Sequence, residues 1–158
     1  METERMNKYI WLFLVALLTN FLLSQALASD TFEKPKKMIW IDQLKQVGAA
    51  YEDGKKIMEF PVLTGDDETT TDPGIYLVRV KDENYYSRKY QTPMPYSLFF
   101  DYAGRKAIHG GEVPPPQEKM GLATHGCVHV KQPHIKWLYD WTEAGRSLVV
   151  IMGWRTQD

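Results

Sequence analysis

At 158 residues, with 44% hydrophobic and 25% charged residues, the chain has the make-up of one globular domain. A formal net charge of −1 excludes the basic footprint of a nucleic-acid binder, and no run of like charges marks an interaction tail. The single cysteine, Cys127, excludes an internal disulfide.

The first element reads as a targeting signal. Arg5 and Lys8 precede an apolar run from Ile10 to Leu23, broken by Thr19 and Asn20, and Ala26 and Ala28 sit at the −3 and −1 positions of a cut after Ala28. A short basic flank, an apolar stretch and an A-x-A site predict a secretory signal peptide over residues 1–28. The alternative is an uncleaved anchor helix, but the apolar run is short against the roughly 20 residues of a span. Met6 is a more usual signal start than Met1, because Glu2 and Glu4 oppose a positive leading segment. Cleavage leaves 130 residues. A domain of that size buries about two thirds of its unfolded surface without covalent staples. The expectation is an exported protein of the periplasm or cell wall that meets the membrane only during export. A lone cysteine in such a protein is either an intermolecular link or a functional thiol. No cysteine follows the apolar run, which excludes lipid attachment of the lipoprotein kind.

Residues 29–37 are polar, carry Pro35 and read as a short linker. Residues 38–42 are strand-like. Residues 44–51 and 56–63 flank Asp53-Gly54, a hairpin signal because a type I′ turn needs positive φ. Residues 64–74 contain no apolar side chain and predict a loop. Residues 75–80 alternate apolar and polar as one strand. Residues 84–96 carry four tyrosines with Pro93 and Pro95, which suits an aromatic loop better than a central strand, since proline donates no ladder bond. Residues 97–102 and 105–109 flank Ala103-Gly104 as a second hairpin. Residues 110–120, with Pro114, Pro115 and Pro116, predict an extended loop. The one convincing helix runs from Pro133 to Ala144 and is closed by Gly145. Residues 147–152 form a last strand. Many short strands and one helix after the cysteine give a mostly β domain, sandwich-like or barrel-like.

Reactive side chains concentrate between 109 and 129: His109, His125, Cys127 and His129, which include three of the four histidines. A thiol becomes a nucleophile when an imidazole takes its proton. Side chains at i and i+2 of an extended segment stand about 7 Å apart. His125 therefore reaches Cys127 only if Gly126 bends the chain. A residue on a neighbouring strand comes as close as about 5 Å, which favours His109 as the base. Gly126 leaves the adjoining backbone N–H groups open to hold an oxyanion.

Fourteen residues separate His109 from Thr124-His125-Gly126-Cys127. This arrangement resembles the catalytic motif of the L,D-transpeptidase catalytic domain family: His, a spacer of that length, Ser or Thr, then His-Gly-Cys. Further similar segments run in order from Ile39-Trp40-Ile41-Asp42, through Thr71-Asp72-Pro73-Gly74 and Met94-Pro95-Tyr96-Ser97, to Trp137-Leu138-Tyr139-Asp140-Trp141. The likeness covers about residues 38–152. It implies a β-sandwich-like catalytic domain over residues 38–155. It also implies attack on the L,D peptide bond after the third residue of a peptidoglycan stem, diaminopimelate, with release of D-alanine. The acyl group would pass to an amine, giving a 3–3 cross-link or a protein attachment, or to water in an L,D-carboxypeptidase. The resemblance makes Cys127 the nucleophile and His109 the general base, oriented by the Gly110 carbonyl. Thr124 and His125 support the loop, and the N–H groups of Gly126 and Cys127 hold the oxyanion. Tyr96, with residues 84–96, belongs to the substrate lid. No cofactor or metal is implied.

His129 departs from the pattern, since the family usually carries Arg or Asn there. Histidine titrates near neutrality, whereas arginine is a permanent fork-shaped donor. His129 is thus expected to support the site or contact substrate as a neutral hydrogen-bond donor. A zinc site is the rival reading of the cluster, but His-x-Cys-x-His is tighter than the usual ligand spacing. A papain-like layout needs a histidine far beyond the cysteine, and only His134 follows. The reading from another class is a non-enzymatic wall-binding module, which would not need a thiol beside an imidazole.

Overall fold

The computed structural model describes residues 17–19, 35–101, 106–115, 118 and 121–156. The chain divides into two units between Lys34 and Pro35. Of the first unit, residues 17–19 are described and are helical. The rest of the expected signal peptide, linker residues 29–34 and the Ala103-Gly104 turn lie outside the described residues. No helix among the described residues is long and apolar enough to cross a membrane.

The second unit contains β1 (Lys37–Asp42), β2 (Val47–Glu52), β3 (Lys55–Leu63), β4 (Gly74–Leu77), β5 (Val80–Ser87), β6 (Thr92–Phe99), β7 (Ala107–Gly110), β8 (Val128–Val130), α1 (His134–Trp141) and β9 (Leu148–Met152). The β2–β3 hairpin turns on Asp53 and Gly54, at φ 49° and 80°. Positive φ at both positions is the type I′ geometry that Asp-Gly favours.

The strand order is β4-β9-β1-β2-β3-β8-β7-β6-β5. β4 and β5 are joined by Val78 and Arg79 alone, yet occupy opposite ends of that order, so the sheet has to curl until its ends meet. The two joining residues stitch it: Val78 N–H donates to Ser147 O at 3.0 Å and Arg79 N–H to Phe99 O at 2.7 Å. The predicted single strand 75–80 is therefore two. Its alternation suits either ladder, and the chain changes ladder at Val78, which is fully buried. β3 changes ladder too, pairing with β2 up to Pro61 and with β8 through Val62 and Leu63.

Inside the curl lie Ile39, Ile41, Phe60, Val62, Leu98, Ile108, Val128, Val130, Val149 and Ile151, capped by Ile135 and Leu138 of α1. Burying such a side chain is worth about 1.5–3 kcal/mol, so α1 is held by its packing on β6 and β7. It stops at Trp141, short of the expected Ala144. Thr142 is extended, at φ −75° and ψ 143°. Ser147 Oγ accepts the Glu143 N–H at 2.9 Å, and Gly145 belongs to the turn into β9.

Residues 84–96 are not an aromatic loop but most of the β5–β6 hairpin, with Asn84 opposite Pro95 and Tyr86 opposite Pro93. Proline is tolerated because the ladder to β7 covers only Leu98 and Phe99. Along residues 92–97 one side of β6 needs no donor.

Candidate active site

β7 and β8 are parallel, with Ile108 opposite Val128, His109 opposite His129 and Gly110 opposite Val130. Side chains alternate along a strand. Val128 and Val130 enter the core, while Cys127 and His129, partly exposed, share the other face. His109 stands on that face at 5% exposure. The neighbour directly opposite His109 is therefore His129, with ring centroids 4.7 Å apart. Cys127 comes one step before the Ile108–Val128 pair, and its sulfur meets the backbone of Ala107. That places the cysteine on the diagonal from His109, a spacing of roughly 7–8 Å between backbones that an aromatic side chain spans.

His109 Nδ1 lies 2.9 Å from its neighbour's carbonyl, Gly110 O. A carbonyl only accepts, so Nδ1 carries the hydrogen and Nε2 keeps its lone pair. Burial, with His129 adding to it, lowers the His109 pKa to about 4, against the opposing pull of the Gly110 bond. The imidazole is neutral at neutral pH and able to accept a proton. Burial also pushes the Cys127 thiol up, while the Ala107 backbone and the Lys106 cation pull it down. The resting pair is a thiol and a neutral imidazole, not a thiolate–imidazolium pair.

The loop before β8 is fixed by its backbone. Gly126 has φ +96°, and a Cβ there would lie 2.7 Å from Thr70 O, so glycine is required. Thr124 is buried, and its Oγ1 donates to Cys127 O. The same Oγ1 accepts the Gly126 N–H at 3.2 Å. That N–H is occupied, which corrects its assignment as an oxyanion donor: the Thr124 side chain takes it first.

The other candidates fall around this centre. His125 is exposed and stacks on Tyr90, centroids 4.6 Å apart. Tyr90 at the hairpin tip is thus the aromatic of residues 84–96 that reaches the loop. Tyr96, at φ 57°, sets its ring edge-on against Tyr139 of α1 at 5.6 Å and packs against the core. His129 Nδ1 lies 3.4 Å from Glu112 O, a long hydrogen bond. Burial lowers its pKa as well. Among the described residues no group of three His, Cys, Asp or Glu side chains could hold a metal ion.

Several residues that the sequence reading did not single out act here. Gln46 Nε2 donates to Thr64 Oγ1 at 2.7 Å, and Gln46 Oε1 accepts the Thr64 N–H at 3.0 Å. Thr64 O accepts the Thr124 N–H at 3.0 Å. Thr69 Oγ1 donates to Thr124 O, and Thr71 Oγ1 to Gly126 O at 3.0 Å. Lys106, ion-paired with Asp72, lays its stem against Gly126. The available signal was the threonine cluster at 64 and 69–71, whose hydroxyls suit backbone carbonyls as well as water.

The sequence model of the L,D-transpeptidase catalytic domain (YkuD) matches residues 36–151. Among solved structures the chain is similar to an L,D-transpeptidase from Stackebrandtia nassauensis, at 27% identity and TM-score 0.68, over 85% of this chain and 66% of that one. It is also similar to an L,D-transpeptidase from Xylanimonas cellulosilytica, at 26% identity and TM-score 0.63, over 77% of this chain and 62% of that one. A mutant L,D-transpeptidase from Enterococcus faecium shares the fold at 23% identity and TM-score 0.64, over 75% of this chain and 50% of that one. The chain spans about half to two thirds of the length of these structures. No curated protein matches it.

Proposed function

The chain belongs to the L,D-transpeptidase catalytic domain family, and from that premise we propose that it is a cysteine acyltransferase acting on peptidoglycan stem peptides. The Cys127 sulfur attacks the carbonyl carbon of the third stem residue. His109 Nε2 takes the thiol proton, and the carbonyl electrons move to oxygen. Collapse of the tetrahedral intermediate breaks the C–N bond, and His109 returns the proton to the leaving D-alanine amine. An acceptor amine then attacks the thioester, gives its proton to His109 and releases the thiol. The acceptor is a second stem or a wall-linked protein.

The observation that carries this reading is the pairing of a neutral His109, hydrogen fixed on Nδ1 by Gly110, with Cys127 on one face of adjacent strands. A neutral thiol and a neutral base suit proton transfer during attack. His129 stands beside the base as a neutral imidazole whose one N–H, on Nδ1, points at Glu112 O, leaving Nε2 as an acceptor. We further propose export, with residues 1–28 removed; a mature protein beginning at Ser29 outside the cytoplasmic membrane is the expected outcome, and a membrane-embedded full-length chain the opposing one.

The test is incubation of the purified protein with a disaccharide-tetrapeptide, followed by mass spectrometry. The expected results are a Cys127 adduct lacking D-alanine and 3–3 linked dimers. Tripeptide without dimer reassigns the protein as a carboxypeptidase, and binding without any adduct as a wall-binding module.

A further inference from the structure

The polar loop at residues 64–74 and the cysteine loop approach one another through glycines. A Cβ on Gly65 would come 3.1 Å from Gly126 Cα, and one on Gly126 would come 2.7 Å from Thr70 O. Thr71 lies between the two loops at 1% exposure. Its Oγ1 accepts the Gly65 N–H at 2.9 Å and donates to Gly126 O at 3.0 Å. Both roles of the hydroxyl are used, so its rotor is fixed.

Gly126 O and the Cys127 N–H belong to one peptide plane. In a trans peptide the two groups point in opposite directions. Holding the carbonyl down onto Thr71 therefore turns the Cys127 N–H up, away from Thr71. Thr69 Oγ1 does the same two planes back: it holds Thr124 O, so the His125 N–H points away from Thr69. Between these two planes lies the Gly126 N–H, already donated to Thr124 Oγ1.

We propose that Thr71 is a positioning residue that aims the Cys127 N–H at the oxyanion formed when the thiol attacks a carbonyl. This rests on the acyl-transfer reading of Cys127, and not on the identity of the acyl donor. Thr71 touches neither substrate nor nucleophile; it acts through the Gly126–Cys127 peptide.

The test separates oxyanion stabilisation from thiol placement. With p-nitrophenyl acetate, the Cys127 sulfur bonds to the acetyl carbon, p-nitrophenolate leaves, and the thiol proton passes to His109; an oxyanion forms on the way. With iodoacetamide, the same sulfur displaces iodide at a saturated carbon and no oxyanion forms. Cys127 is the only thiol in the chain, so both rates report on it. Removing an oxyanion donor outright costs about 10²–10³ in rate, so a mis-aimed one in Thr71→Val should slow acetylation roughly 10- to 100-fold while alkylation stays within about twofold. Thr71→Ser, which restores the hydroxyl, should return the acetylation rate to near the original.

Thr71→Ala, smaller and free of any clash, is the second variant and should shift the same ratio if Thr71→Val does not fold. Equal slowing of both reagents would make Thr71 a purely structural prop and overturn the proposal. So would unchanged acetylation, or failure of Thr71→Ser to restore it. If the unsubstituted protein is acetylated in this pattern but releases no D-alanine from tetrapeptide stems, the peptidoglycan reading fails and the role of Thr71 stands.

Discussion

His109 and His129 face each other across the parallel ladder of β7 and β8, their rings 4.7 Å apart and inclined at 66°. Two charged imidazoles cannot share this place cheaply, since His109 is buried, His129 is half-buried and each would repel the other. The pair is thus held neutral at neutral pH, and the Gly110 carbonyl decides which nitrogen of His109 keeps its lone pair.

The first consequence is a loss of stability in mild acid. The folded His109 pKa is about 4 against an ordinary 6.5, so between these values the unfolded chain binds a proton that the folded one refuses. Stability is present above about pH 6.5 and is lost as pH falls towards 4, by roughly 3 kcal/mol. His129, also lowered, acts in the same direction. Urea midpoints at pH 7.5, 5.5 and 4.5 should fall in that order, and His109→Gln should remove the larger part of the trend. Equal midpoints at pH 7.5 and 4.5 would rule this out.

Reactivity follows a different limb. Burial raises the Cys127 pKa, so alkylation by iodoacetamide should keep rising with pH beyond the ordinary thiol range. Acylation needs only a neutral His109, and should persist to about pH 5 before failing as His109 protonates near 4. Lys106 pulls the thiol down, so Lys106→Gln should slow alkylation at a fixed neutral pH. Faster alkylation in that variant would contradict the electrostatic role of Lys106.

Gly126→Ala combines two penalties. A left-handed backbone costs an L residue about 1–2 kcal/mol, and the new Cβ would press on Thr70 O at 2.7 Å. The melting temperature should fall by about 3–10 °C, and acylation of Cys127 should be lost. Gly121→Ala is the control, because Gly121 has φ +74° with open space around it. It should show only the backbone penalty and keep its activity. Matching activities in the two variants would sink the idea that Gly126 is needed for the close approach of the loops.

How legible these features were depended on how local their causes are. Asp53-Gly54 announces its hairpin because the turn's φ values are set by those two residues. The His109 and Thr124–Cys127 motif lies in one stretch of chain and was readable as chemistry. Pro93 and Pro95 misled, because whether a strand needs a donor depends on which neighbour pairs with it, and β7 does not at those positions. β8 has three residues, too few for alternation to show. Thr69 and Thr71 looked like solvated loop; their role appears only when the fold brings the Thr124 and Gly126 carbonyls over them, a separation of 55 residues in sequence in each case.

The last expectation divides the labour between the two facing histidines. His109 is the proposed base: its Nδ1 carries the hydrogen towards Gly110 O, which leaves the lone pair on Nε2, and it shares a face with Cys127. Losing a general base typically costs about 10²- to 10⁴-fold in rate, so His109→Ala should be nearly silent. His129 stands one strand across from that base, and its own Nδ1 makes only a 3.4 Å approach to Glu112 O. Losing one neutral hydrogen bond costs about 0.5–1.5 kcal/mol, roughly 2- to 12-fold. His129→Asn should accordingly keep kcat/KM within about one order of magnitude. His129→Arg should also be active, because Arg is the residue that the family pattern usually carries at this position. The three variants are to be compared on one tetrapeptide substrate, with folding checked by circular dichroism. If His129→Asn is as inactive as His109→Ala while both remain folded, the imidazole pair works as a unit, and the assignment of the base to His109 alone is wrong.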